Sequence, residues 1–145
     1  MAGVYISYPF CRQKCTYCNF ASAAGAAELE RQYRDALRGE ILGHRWEWKS
    51  ETLYLGGGSP SKLAGEELAG LLEPLPATRW REATIEVAPG DVTAEKAREW
   101  RHAGLTRVSL GVQSFVAAEL RRTGRKHSAQ TVAADIALLR REGFA

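Results

Sequence analysis

The chain has no run of about 20 apolar residues, the length that spans a bilayer, so the sequence predicts no membrane span. It has no low-complexity tract and no internal sequence repeat. Its formal charge of +3 is mild. The arginines behind it are scattered along helical stretches, as in Arg31, Arg34 and Arg38 or Arg121 and Arg122. No basic stripe interleaved with aromatics is present, which argues against a nucleic-acid surface. Cysteine is scarce, with three in 145 residues. An odd, clustered set makes no disulfide framework and points to a reducing, cytoplasmic setting. A β-rich run begins almost directly after Met1, so no signal peptide is expected. What is there reads as an ordinary globular domain, 45% hydrophobic and 26% charged, long enough for one modest core.

The three cysteines, Cys11, Cys15 and Cys18, stand in the spacing Cys-x3-Cys-x2-Cys. A structural zinc site or an ordinary [4Fe–4S] cluster takes four protein ligands. A centre on three thiolates leaves one metal position open, where chemistry can happen. Arg12 and Lys14 between the cysteines favour the thiolate form. The alternative is a structural zinc module completed by a histidine. His44 lies mid-helix, and His102 and His127 lie far along the chain without paired metal spacing.

The hydrophobic pattern alternates strand and helix. Strands are expected at Val4–Tyr8, Thr52–Leu55, Ala83–Val87 and Val108–Val112. A helix from about Ala26 to Trp46 is marked by Leu29, Tyr33, Leu37 and Ile41. A second runs from Glu66 to Leu75 on Leu68, Leu71 and Leu72. Thr93 caps a third, which Gly104 stops, and Ser128 caps a last one carrying Val132, Ile136 and Leu139 up to Gly143. Four βα units imply an α/β fold with a parallel sheet, open or curved into a barrel. Four strands cannot close a barrel. The sequence reaches Gly143-Phe144-Ala145 where a fifth strand would begin, so a longer protein and an open edge at the last strand are expected.

In such folds ligands bind at the carboxyl ends of the strands. The cysteines follow strand one. Gly56-Gly57-Gly58-Ser59-Pro60 follows strand two, Glu86 ends strand three, and Gln113 and Ser114 follow strand four. The glycines could be only a tight turn. They lack the P-loop and dinucleotide spacings, and a loop whose N–H groups approach a polar small molecule is preferred. Glu86 could be a structural acid paired with arginine, but its place over a pocket favours ligand contact. Arg125 could be plain surface charge, or a fork for a ligand carboxylate.

Together these segments resemble the radical S-adenosylmethionine (SAM) superfamily. The carriers are Cys11-Arg-Gln-Lys-Cys15-Thr-Tyr17-Cys18, Leu53-Tyr54-Leu55-Gly56-Gly57-Gly58-Ser59-Pro60-Ser61, Ile85-Glu86-Val87-Ala88-Pro89-Gly90, Ser109-Leu110-Gly111-Val112-Gln113-Ser114-Phe115 and Thr123-Gly124-Arg125-Lys126-His127-Ser128. They look like the oxygen-independent coproporphyrinogen oxidase group along essentially the whole chain. The resemblance implies a [4Fe–4S] cluster on Cys11, Cys15 and Cys18 whose open iron takes the amino-acid end of SAM. It implies SAM contacts by Tyr5, Tyr17, Gly57, Gly58, Ser59, Glu86, Gln113 and Arg125. It also implies a partial (βα) barrel with four of about six units, residues 1–145 forming the N-terminal part of the core domain.

The group has two branches. Its coproporphyrinogen dehydrogenases carry a further cysteine two residues after the third, where this chain has Phe20. That departure matches the heme chaperone branch. The expectation is heme delivery, with heme as ligand, an electron-donor protein and a heme acceptor as partners, and oxidase activity as the alternative.

Overall fold

A computed structural model of the chain describes residues 2–12, 14–77 and 79–144. Four strands form the centre: β1 (Gly3–Tyr8), β2 (Thr52–Gly57), β3 (Glu82–Val87) and β4 (Arg107–Leu110). They pair in parallel in the order β1-β2-β3-β4. Parallel neighbours need a long crossover, and helices supply it. α1 (Ala27–Gly43) joins β1 to β2, α2 (Gly65–Leu72) joins β2 to β3, and α3 (Ala94–His102) joins β3 to β4. α4 (Ala117–Arg122) and α5 (Ala129–Arg141) follow β4. The expected α/β order of four strand–helix units is present. No helix among the described residues is long and apolar enough to cross a membrane.

Side chains alternate across a strand, and the two faces of this sheet differ. Ile6, Tyr8, Leu53, Leu55, Ala83, Ile85 and Val87 are buried with Leu68 and Leu71 of α2, Trp100 of α3 and Leu139 of α5. Each fully buried large side chain contributes about 1.5–3 kcal/mol. The alternate positions are small or polar: Tyr5, Ser7, Tyr54, Gly56, Glu86 and Ser109. Chemistry is therefore confined to one face and to the strand ends.

The caps are as expected. Thr93 Oγ1 accepts from the Lys96 N–H at 3.2 Å, and Ser128 Oγ from the Thr131 N–H at 3.2 Å. Other expectations shift. α1 ends at Gly43, before Trp46. Leu29 is 55% exposed and outside the core, while Ile41 is buried. A strict four-residue repeat turns about 40° off the helix face at each step, so Leu29 and Ile41 cannot share one face. Glu30 takes the inward place instead. Its carboxylate accepts from the Tyr8 hydroxyl at 2.7 Å and from Lys62 Nζ at 2.6 Å. α2 ends at Leu72, not Leu75: Glu73 keeps helical angles and still donates its N–H to the Ala69 carbonyl at 2.9 Å, but Pro74 has no N–H with which to extend the ladder. In α5, Val132 and Leu139 are buried but Ile136 is 39% exposed. β4 stops at Leu110, since the Val112 N–H turns back to the Leu110 carbonyl at 2.8 Å.

Candidate functional site

Pro9 ends β1, and the chain then makes a loop closed at its base. The Cys11 N–H donates to the Ala23 carbonyl at 3.0 Å, and the Ala23 N–H to the Pro9 carbonyl at 2.9 Å. Cys11 is buried, Cys15 and Cys18 are half-buried, and all three thiols are free. The Cys18 N–H bonds the Cys15 carbonyl at 3.1 Å, making a turn that brings the second and third cysteines together. Three long-range ties hold the loop. Arg12 pairs with Asp91 at 3.0 Å, Thr16 Oγ1 donates to the Arg122 carbonyl at 3.3 Å, and Arg125 Nη2 donates to the Tyr17 hydroxyl at 2.7 Å.

The glycine segment lies against this loop. Gly58 donates its N–H to the Tyr8 carbonyl and Ser59 to the Phe10 carbonyl, both at 2.8 Å. The Gly57 N–H donates to Glu86 Oε2 at 3.2 Å. These N–H groups are thus engaged inside the fold, contrary to the expectation that they face a ligand. The glycines answer two other needs. Gly57 has φ +109°, and a Cβ on Gly58 would fall 2.5 Å from the Phe10 carbonyl oxygen. The absence of side chains lets β2 run close beside the cysteine loop.

Glu86 sits half-buried near the end of β3. Its Oε1 accepts from the Tyr54 hydroxyl at 2.7 Å. No ion pair with an arginine forms at Glu86 among the described residues, so the structural alternative of an arginine-paired acid loses its partner. Burial raises the Tyr54 phenol above its usual value, and the Glu86 hydrogen bond adds to this. Tyr5 is raised by burial and then by the Glu86 charge. Both phenols remain donors at neutral pH.

Beyond β4, Gln113 has φ +65°, the left-handed region that side chains rarely adopt, and its side chain is exposed. Strain of this kind is found where position matters more than local comfort. Arg125 reaches the same spot. Its Nη1 donates to the Gly111 carbonyl at 3.3 Å, and its guanidinium carbon lies 5.9 Å from the Tyr17 ring centre. Its Nε is buried without a hydrogen-bond partner. A cleft of about 460 Å³ lies alongside, lined by Tyr17, Gln113, Ser114, Glu119, Arg122 and Thr123. A larger cleft of about 1430 Å³ between α2 and α3 is lined by none of the residues expected to hold the cluster or SAM.

The residues suit an iron–sulfur cluster and an amino-acid ligand. Three free thiols on one loop are the soft donors a cluster takes. The orphaned Nε–H of Arg125 calls for an acceptor oxygen, such as a carboxylate. A closed zinc centre fits less well. No group of three His, Cys, Asp or Glu side chains, the three cysteines included, gathers round one ion position among the described residues. A zinc ion needs that convergence, whereas a cluster takes each thiolate on a different iron. Sequence reasoning missed Tyr54, Asp91 and Ser61. Only Tyr54 had a signal, since it shares the strand alternation of Gly56 next to the glycine segment.

The radical SAM superfamily matches the chain over residues 5–145. The heme chaperone HemW of Escherichia coli (strain K12) is 36% identical over 135 residues, covering 88% of this chain and 36% of that protein. The heme chaperone HemW of Lactococcus lactis is 35% identical over 144 residues, covering 97% of this chain and 38% of that protein. Among solved structures, the coproporphyrinogen III oxidase (HemN) of Escherichia coli, a radical SAM enzyme, superposes with a TM-score of 0.87 at 26% identity. It covers 99% of this chain and 35% of that one. The chain therefore spans between a third and two fifths of the length of these relatives.

Proposed function

The chain belongs to the radical SAM superfamily, and from that premise we propose that it carries the cluster and SAM site of a HemW-like heme chaperone. The family implies a [4Fe–4S] cluster and SAM as cofactors. When bound, the cluster supplies single electrons and SAM supplies a bond that one electron can cleave.

The roles follow from the residues. Cys11, Cys15 and Cys18 would hold three corners of the cluster and leave the fourth iron to SAM. Arg125 would offer its unpaired Nε–H to the SAM carboxylate, with Tyr17 holding the guanidinium in place. Glu86 can only accept, so it would take an N–H or O–H of the cofactor. Gln113 would meet a ribose hydroxyl, and Ser59, just past β2, and Tyr5, on β1, would contribute hydroxyls. Gly57 and Gly58 would serve by leaving room.

The observation that carries the chaperone reading is Phe20. It stands two residues past Cys18 and is 66% exposed, at the place where the oxidase branch carries a further cysteine. The likeness to two HemW proteins supports it. The second reading, an oxygen-independent coproporphyrinogen III oxidase, is favoured by the likeness to the solved oxidase. Anaerobic reconstitution separates the two. Stoichiometric heme binding without decarboxylation of coproporphyrinogen III is the expected result. Decarboxylation with release of 5′-deoxyadenosine, and no heme binding, would establish the oxidase instead.

A further inference from the structure

Tyr54 and Glu86 lie on neighbouring parallel strands and point to the polar face of the sheet. The Tyr54 hydroxyl donates to Glu86 Oε1 at 2.7 Å, and the Gly57 N–H donates to Oε2 at 3.2 Å. Both oxygens of one carboxylate are thus held, each by a donor on β2. A carboxylate offers about four acceptor sites, so roughly two remain for another donor.

Two further features build this arrangement. The Tyr54 ring stacks on the Tyr5 ring, with centroids 5.8 Å apart and planes 13° from parallel, which sets the direction of the phenol. Gly56 makes room for all three groups. A Cβ there would lie 2.9 Å from the Tyr5 hydroxyl, 2.9 Å from Tyr54 Cε1 and 3.2 Å from Glu86 Cδ. The first glycine of the triplet therefore admits a Tyr5–Tyr54–Glu86 cluster. A glutamate without these partners would sample several rotamers and present its lone pairs in no fixed direction.

We propose that Tyr54 is a positioning residue whose hydroxyl, together with the Gly57 N–H, aims the free lone pairs of Glu86 at a donor group of SAM. The inference rests on Glu86 being a cofactor contact. Its test is SAM affinity by anaerobic calorimetry on the cluster-reconstituted protein, with iron content and circular dichroism as controls.

Tyr54→Phe is expected to raise the SAM Kd about five- to tenfold, the effect of one lost hydrogen bond, with iron content unchanged. Glu86→Gln should weaken binding at least as much. Tyr54→Phe should then cost nothing further in the Glu86→Gln background, because the phenol acts through the carboxylate. Replacing Tyr54 by 3-fluorotyrosine, a near-isosteric and stronger donor, keeps the question open to test even if Tyr54→Phe folds poorly. It should bind SAM at least as tightly as the native protein. A Tyr54→Phe protein with native Kd, beside a weakened Glu86→Gln, overturns the positioning role and leaves the Glu86 contact standing. An equal loss from Tyr54→Phe in both backgrounds also overturns it. A native Kd in Glu86→Gln removes the contact itself, and the inference with it.

Discussion

The guanidinium of Arg12, one residue past Cys11, lies 3.0 Å from the carboxylate of Asp91 in the loop after β3. Arg12 is two-thirds exposed, but Asp91 is only 8% exposed and also accepts from the Ser61 hydroxyl at 2.9 Å. One buried acid therefore fastens the cysteine loop to two other strand ends. An exposed pair in isolation contributes little. Here the buried half makes the difference, because its loss strands a hydroxyl and frees the loop.

Asp91→Ala should lower stability by about 1–3 kcal/mol, the cost of leaving buried partners unsatisfied. It should also speed iron loss from the reconstituted cluster. Denaturant midpoints measure the first effect, and the rate of iron capture by a chelator measures the second. A native release rate would show that Asp91 does not hold the loop.

Gly58→Ala should damage the cluster site without touching a thiol. The new Cβ would meet the Phe10 backbone, which cannot swing aside like a side chain tip. Overpacking of this kind costs about 1–3 kcal/mol. Iron per chain after reconstitution should fall well below the native value. Gly39→Ala, where a Cβ meets nothing within 4 Å, is the control.

Arg125→Lys keeps the charge but loses the planar fork and its Nε–H, so the change is not conservative. SAM affinity should drop at least about tenfold, in line with a charge-assisted bond of 1.5–3 kcal/mol. Cluster absorbance should be retained, and calorimetry with spectra on the same sample reads both.

Glu30 predicts an acid limb in stability. Burial pushes its carboxyl up, but the Lys62 ammonium, the Tyr8 hydroxyl and Arg34 together outweigh this and hold it below the ordinary value. A depressed folded value means the contribution is complete above the unfolded pKa. It is lost as pH falls through the folded value. Native stability should therefore decline below about pH 4.5. Glu30→Gln should flatten part of that decline while lowering stability at pH 7, as urea titrations across pH will show.

Much of this was legible from local pattern. A strand is announced by alternation, a cap by one hydroxyl, and a helix stop by Gly104 or Gly143, because each depends on neighbours a few residues away. The placing of the cysteines, the glycines, Glu86 and Gln113 at or just past strand ends also followed from the order of elements. Where the reading slipped, the cause was geometric. The four-residue stripe in α1 overruns a helical turn, and the inward side chain there is a charged one, Glu30.

The sequence by itself determined the chemistry on offer: three thiols with no fourth, a glycine triplet, an acid at a strand end and an arginine further on. Residue types and spacings carry that information without a fold. Only the tertiary structure decided how those groups are held. The phenol of Tyr54 on Glu86, the carboxylate of Asp91 on Arg12 and the hydroxyl of Tyr17 on Arg125 join residues between 32 and 108 positions apart. Such contacts arise from the register of parallel strands and the closeness that Gly56 and Gly58 permit, neither of which any local pattern contains.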